Sequence, residues 1–218
     1  MRTLWERLLD LLYPPKCAFC GALIPAQRNG ICAICEKTLP YTKNGGRQKG
    51  NFFTACVSPL YYEEDVRDAL LRYKFRHCSG YCRPFGQLVA VCAAENLDQP
   101  VDLVSWVPLS SRRLRKRGYD QARLLAEETA RRLEKPCVPV LKKTVHTAPQ
   151  SRTGSAEKRR ANISGAYRVT DPALVRGKTI LLIDDIVTTG STFSECARML
   201  GMAGADRVFC ASVARSRD

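Results

Sequence analysis

Thr179-Ile-Leu-Leu-Ile-Asp-Asp-Ile-Val-Thr-Thr-Gly-Ser-Thr-Phe193 is the stretch that decides the fold of this 218-residue chain. Ile180 to Ile183 is a short apolar run, suited to a parallel strand buried on both faces. Asp184 and Asp185 follow where that strand is expected to end. Thr188-Thr189-Gly190-Ser191-Thr192 then opens a helix at about Phe193. In open α/β sheets, ligands bind outside the carboxyl ends of the strands. Backbone N–H groups of a small, hydroxyl-rich loop and the helix N-terminus behind it form an anion site. Like charges repel, so the two acids suit sugar hydroxyls or a magnesium ion instead of a phosphate. The segment therefore implies a phosphorylated sugar, with phosphate on Val187 to Thr192 and hydroxyls on Asp184 and Asp185. An ordinary strand–turn–helix needs one capping group, not two acids and four hydroxyls.

The same residues, Leu182 to Asp185 and Val187 to Thr192, resemble the signature of the phosphoribosyltransferases. These enzymes use phosphoribosyl pyrophosphate.

Upstream, Cys17-x-x-Cys20 and Cys32-x-x-Cys35 have the spacing of a four-thiolate zinc site, which leaves no open coordination position and is structural. The chain holds 11 cysteines. Cys56, Cys92, Cys137, Cys196 and Cys210 read mostly as small core residues. His77, Cys78 and Cys82 lack a fourth ligand nearby, so a second metal site there is weakly supported. The first 13 residues alternate as an amphipathic helix ended by Pro14-Pro15, not as a secretory leader. No run is long enough to span a bilayer, and a cytoplasmic location is expected. The division expected is 1–41 for the helix and zinc module, 42–50 for a flexible basic linker, and 51–218 for an α/β domain. In that domain strands alternate with helices, which implies a parallel twisted sheet.

The formal net charge is +14, which favours nucleic acid or polyphosphate partners. Arg112, Arg113, Arg115, Lys116 and Arg117 crowd what reads as a loop after the strand at 101–107. Arginine forks there match pyrophosphate oxygens. The polar stretch 142–162 carries Lys142, Lys143, Arg152, Lys158, Arg159 and Arg160 and reads as a basic lid. Lys43, Arg47, Lys49 and the 112–117 segment, with Tyr41, Phe52 or Tyr119, are candidate nucleic-acid contacts.

The order of these blocks narrows the resemblance: the paired CxxC motifs, Tyr73-Lys74-Phe75, Trp106-Val107-Pro108, Arg117-Gly118-Tyr119-Asp120-Gln121-Ala122, Gln150, Arg159-Arg160-Ala161-Asn162, then the 181–192 signature. The chain is similar to the ComF/ComFC family over nearly its whole length. That resemblance implies a zinc-binding N-terminal part and a type I phosphoribosyltransferase fold. It also implies a role in natural transformation on imported single-stranded DNA, with the ComFA helicase and DprA as partners and association with the inner membrane face through them. Asp184 and Asp185 would hold the ribose hydroxyls directly or through Mg²⁺, and Val187 to Thr192 the 5′-phosphate. Arg112, Arg113 and Arg117 would face the pyrophosphate, and Lys158 and Arg159 would stabilise it as a leaving group. Here Ser110 stands where the family has a second proline, and Asp120 stands where it has asparagine. The family pattern leaves transfer chemistry and its acceptor open. A nucleotide-salvage phosphoribosyltransferase and a zinc-bearing adaptor with a vestigial sugar site are the competing readings.

Overall fold

The computed structural model describes residues 14–25, 27–144 and 165–217. The expected helix 1–13 lies outside the described residues. So does the lid from residue 145 onward, with Lys158 and Arg159.

The frame is a parallel sheet of β1 (Ala55–Val57), β2 (Leu60–Tyr61), β3 (Leu103–Trp106), β6 (Thr179–Val187) and β7 (Arg207–Arg215). Its order is β1-β7-β6-β3, with β2 continuing the β1 edge alongside β7. A separate antiparallel pair joins β4 (Leu141–Lys143) to β5 (Tyr167–Val169). Pairing with β5 begins at Leu141, opposite Val169.

β6 is central because its first five residues are all buried. Alternation along it divides the core into two layers. Leu181 and Ile183 face α2 (Glu64–Phe75), α3 (Cys82–Asn96) and α5 (Gln121–Leu133). Ile180 and Leu182 face α6 (Ser191–Met202) and the β4–β5 pair. α2 follows its helical period: Val66, Ala69, Leu70 and Tyr73 are its buried residues.

β6 does not stop before the acids. Asp184 pairs in register with Ser212, Ile186 with Ala214 and Val187 with Arg215. Ladder pairing depends on backbone groups, so a polar side chain does not end a strand whose neighbour continues.

The 112–117 segment is likewise a helix, α4 (Ser111–Arg117). Ser110 caps its start by accepting from the Arg113 N–H at 3.4 Å, and Gly118 ends it at φ 78°. The left-handed region is open to glycine without steric cost. A helix fans its cations around an axis, whereas a loop could have turned them one way.

The 42–50 stretch holds a 3-10 turn at Lys43–Gly46 and is pinned on both sides. Thr42 Oγ1 donates to the Ser58 carbonyl at 2.6 Å, and Arg47 Nη1 donates to the Asn96 carbonyl at 2.6 Å.

The N-terminal module is fused to the main core. Phe19 packs at a tilt against Phe85 at 5.5 Å between centroids, and Phe85 meets Tyr73 at 5.5 Å and Tyr81 at 5.9 Å. Arg72 Nη2 donates to the carbonyls of Ala18 (3.1 Å) and Phe19 (2.5 Å). No helix among the described residues is long and apolar enough to cross a membrane.

Phe85 is fully buried at this junction. Phe85→Ala is expected to cost about 3–5 kcal/mol, seen as a lower urea midpoint. It should also speed loss of zinc to a chelator, because Phe19 loses its packing partner.

Candidate functional site

Four sulfurs converge in the N-terminal module. Those of Cys17, Cys20, Cys32 and Cys35 all lie within 4.8 Å of one another. Tetrahedral zinc with bonds of about 2.3 Å sets its sulfurs about 3.8 Å apart, and Cys20 Sγ lies 3.7 Å from Cys32 Sγ. The knuckle supports the thiolates with backbone donors: Cys32 N–H to Cys17 Sγ at 3.4 Å and Cys35 N–H to Cys32 Sγ at 3.3 Å. The latter bond leads in lowering the Cys32 thiol to about 7, while burial pushes the Cys35 thiol up. The four residues fit a closed structural zinc site. Among the described residues no other such group forms, so His77, Cys78 and Cys82 do not make a second one. Burial instead pushes Cys56 and Cys92 up to about 12 and Cys137 up to about 11. These are inert thiols.

The second assembly sits at the carboxyl end of β6. Neighbouring strand residues point to opposite faces, and the two acids divide accordingly. Asp185, 5% exposed, turns toward α2 and α5. Its Oδ2 lies 3.0 Å from Lys74 Nζ and accepts from Gln121 Nε2 at 3.2 Å. Gln121 is held in turn, since its carbonyl accepts from Tyr73 Oη at 2.7 Å. The Tyr119 hydroxyl donates to the Tyr73 carbonyl. Gln121 Oε1 is buried and has no partner among the described residues. It stands beside Asp185 as an acceptor without a donor, which suits a ligand hydroxyl or a metal-bound water.

Asp184 turns toward α6 and the β4–β5 pair. Its Oδ1 accepts from the Asp185 N–H at 2.8 Å. Burial, then the charge of Asp185, raises its carboxyl to about 8, against the pull of Lys74. Lys143 Nζ donates to Tyr167 Oη at 3.1 Å on the same side. Burial, followed by the charge of Arg113, lowers the Lys143 ammonium.

Behind the acids, Gly190 is left-handed at φ 67° and forms the N-terminal boundary of α6 without a side-chain cap. Thr189 Oγ1 and Ser191 Oγ are 2.8 Å apart, and Ser191 N–H donates to Thr189 Oγ1 at 3.4 Å. Hydroxyls and helix-start amides thus cluster on one turn. Lys49, Phe53, Thr189, Gly190, Ser191 and Arg198 line a recess beside it. Thr188 and Thr192 border the same turn, and Val187 is buried under it.

The expected pyrophosphate arginines separate. The charge of Arg113 is felt by Lys143 and Tyr167, as is that of Asp184. The Arg117 guanidinium instead sits 5.0 Å over the Phe75 ring, and Arg112 is exposed. Asp120 is an N-cap: Oδ1 accepts from Ala122 and Arg123 N–H at 3.1 and 3.2 Å, and Oδ2 from Leu109 N–H at 3.1 Å. It fastens the turn after β3 to α5 and does not neutralise the basic segment. Among the candidate nucleic-acid contacts, Arg47 is engaged by Asp98. Lys74 and Gln121 had no role in the sequence reading. Both lie within recognisable motifs, but nothing local says that they meet at residue 185.

Residues 120–218 match the family model for a phosphoribosyl transferase domain, and residues 8–60 that for a double zinc ribbon domain. The chain is 37% identical to DNA utilization protein YhgH of Salmonella typhi, over 91% of this chain and 96% of the relative. It is 26% identical to competence protein F of Haemophilus influenzae, over 92% and 97%. It is also 26% identical to competence protein ComFC of Bacillus subtilis, over 84% and 70%. The fold is of the type I phosphoribosyltransferase kind, preceded by a zinc ribbon.

The Lys74–Asp185 pair is nearly dry, with side chains 17% and 6% exposed. Lys74→Met should cost about 3 kcal/mol because it leaves a buried carboxylate unpaired. Lys74→Met combined with Asp185→Asn should recover most of that loss in urea titrations.

Proposed function

The chain belongs to the ComF/ComFC family, and from that premise we propose that it is a competence and DNA-uptake factor. In this reading it binds single-stranded DNA and, at the β6 site, phosphoribosyl pyrophosphate with Mg²⁺. The observation that carries the sugar site is the junction of three features at one strand end. These are a helix start on a hydroxyl turn, a carboxylate with no cation paired to it among the described residues, and Gln121 Oε1, likewise without a donor there. Amides and hydroxyls of 188–192 would take the 5′-phosphate. Asp184 and Gln121 would meet the ribose hydroxyls or hydrated magnesium, with Asp185 fixed behind them by Lys74. Bound magnesium would neutralise charge on the pyrophosphate. Arg113 and Lys143 supply positive charge where a departing pyrophosphate would gather negative charge; Lys158 and Arg159, expected to act with them, lie outside the described residues. The names of the relatives support the DNA half.

A salvage transferase would use the same pocket. It has no evident need of a zinc ribbon or of a +14 net charge. Pyrophosphate release from phosphoribosyl pyrophosphate, assayed with and without candidate bases and single-stranded DNA, separates the two readings.

Asp184→Asn is the cleaner test of the ligand site, since it does not orphan Lys74. It should abolish magnesium-dependent heat of phosphoribosyl pyrophosphate binding while leaving the urea midpoint near wild type. Wild-type affinity in that variant would reject the assignment.

A further inference from the structure

Away from the sugar pocket, the ends of α2 and α4 meet in an unusual surface. Phe75, the last residue of α2, is 61% exposed. The Arg117 guanidinium, at the end of α4, lies 5.0 Å above its ring. Leu71, one turn earlier on α2, and Leu114, one turn before Arg117, are 40% and 41% exposed. Leu71, Phe75 and Arg76 line one shallow recess with Asp68 and Arg72. The acid there is engaged by a neighbour, since Asp68 pairs with Arg67 at 3.2 Å. His77 and Tyr119 add two rings beside it, 6.3 Å apart.

The charge of this face is one-sided. Among the described residues no ion pair involves Arg76, Arg112, Arg115, Lys116 or Arg117. Other arginines are matched, as in Arg198–Glu195 and Arg132–Glu128. A single exposed phenylalanine needs no explanation. One roofed by Arg117 and flanked by Arg76 presents a flat apolar surface beside positive charge.

Resting on the DNA reading above, we infer that the Phe75–Arg117 surface is the platform on which single-stranded DNA stacks a base. A single strand offers both parts of the match, free base faces for the ring and phosphates for the surrounding cations. A duplex hides its base faces, and an acidic peptide has no use for the ring. Phe75 directly follows Lys74, whose ammonium holds Asp185.

The test uses the full-length, zinc-loaded chain and fluorescein-labelled oligothymidine, followed by anisotropy across a salt series. Phe75→Ala should weaken binding by about 5- to 150-fold, the range for one stacked base, with the salt slope unchanged. Phe75→Trp should bind at least as tightly as wild type. Arg117→Gln should weaken binding and lower the slope by about 0.7 if it contacts one phosphate. Arg207→Gln, the same charge change at the other end of the sheet, should do neither. Duplex DNA should be indifferent to Phe75→Ala. Oligothymidine binding that survives Phe75→Ala within twofold overturns the platform and leaves the DNA reading intact. An equal loss for duplex DNA, or for polyglutamate, also overturns it. A wild-type chain that binds no DNA overturns both.

Discussion

The ion pair between Lys74 and Asp185 is the constraint around which the ligand site is organised. Two carboxylates adjacent on a strand cannot both face the same layer. The chain uses this by giving one acid a lysine and an amide, and leaving the other without either among the described residues. Asp185 thereby becomes a fixed strut between β6, α2 and α5. Asp184 keeps its capacity for a guest, with its affinity for a proton raised by burial and by its neighbour's charge. A site with two unpaired acids would repel itself when empty, and one with both acids paired would have nothing to offer a ligand.

The strongly basic composition divides in the same way. Some cations are structural: Arg72 clasps the zinc knuckle, Arg47 ties the 42–50 segment to the end of α3, and Arg198 locks onto Glu195 on α6. Others, gathered on α4 and at the end of α2, have no acidic partner among the described residues. A count of lysines and arginines cannot separate these groups, because pairing is decided by which acid lies within reach after folding.

This division also explains what was legible in advance. The zinc ligands were readable because both members of each CxxC pair lie within one turn. The 179–193 segment was readable because the strand, acids, loop and helix occur without a gap. The strand's end was misread, because Asp184 looks like a stop and the ladder to Ser212 is invisible without β7. The helix at 111–117 was missed although Ser110 and Gly118 are good cap residues, because its uniform charge masks any period. Gln121 and Lys74 could not have been found locally. Their meeting with residue 185 is made by the packing of α2 and α5 on β6.

The clasp of Arg72 on the carbonyls of Ala18 and Phe19 carries a final consequence. Arg72, Tyr73 and Lys74 are consecutive, so three successive side chains of one helix touch the zinc knuckle, the aromatic core and the acid pair. A small thiolate-bound module owes its shape to its metal. An oxidant that stripped zinc from the cysteines would loosen the grip on α2 and slacken the strut behind Asp185. Through Arg72, Tyr73 and Lys74, loss of the metal would be felt at Asp185.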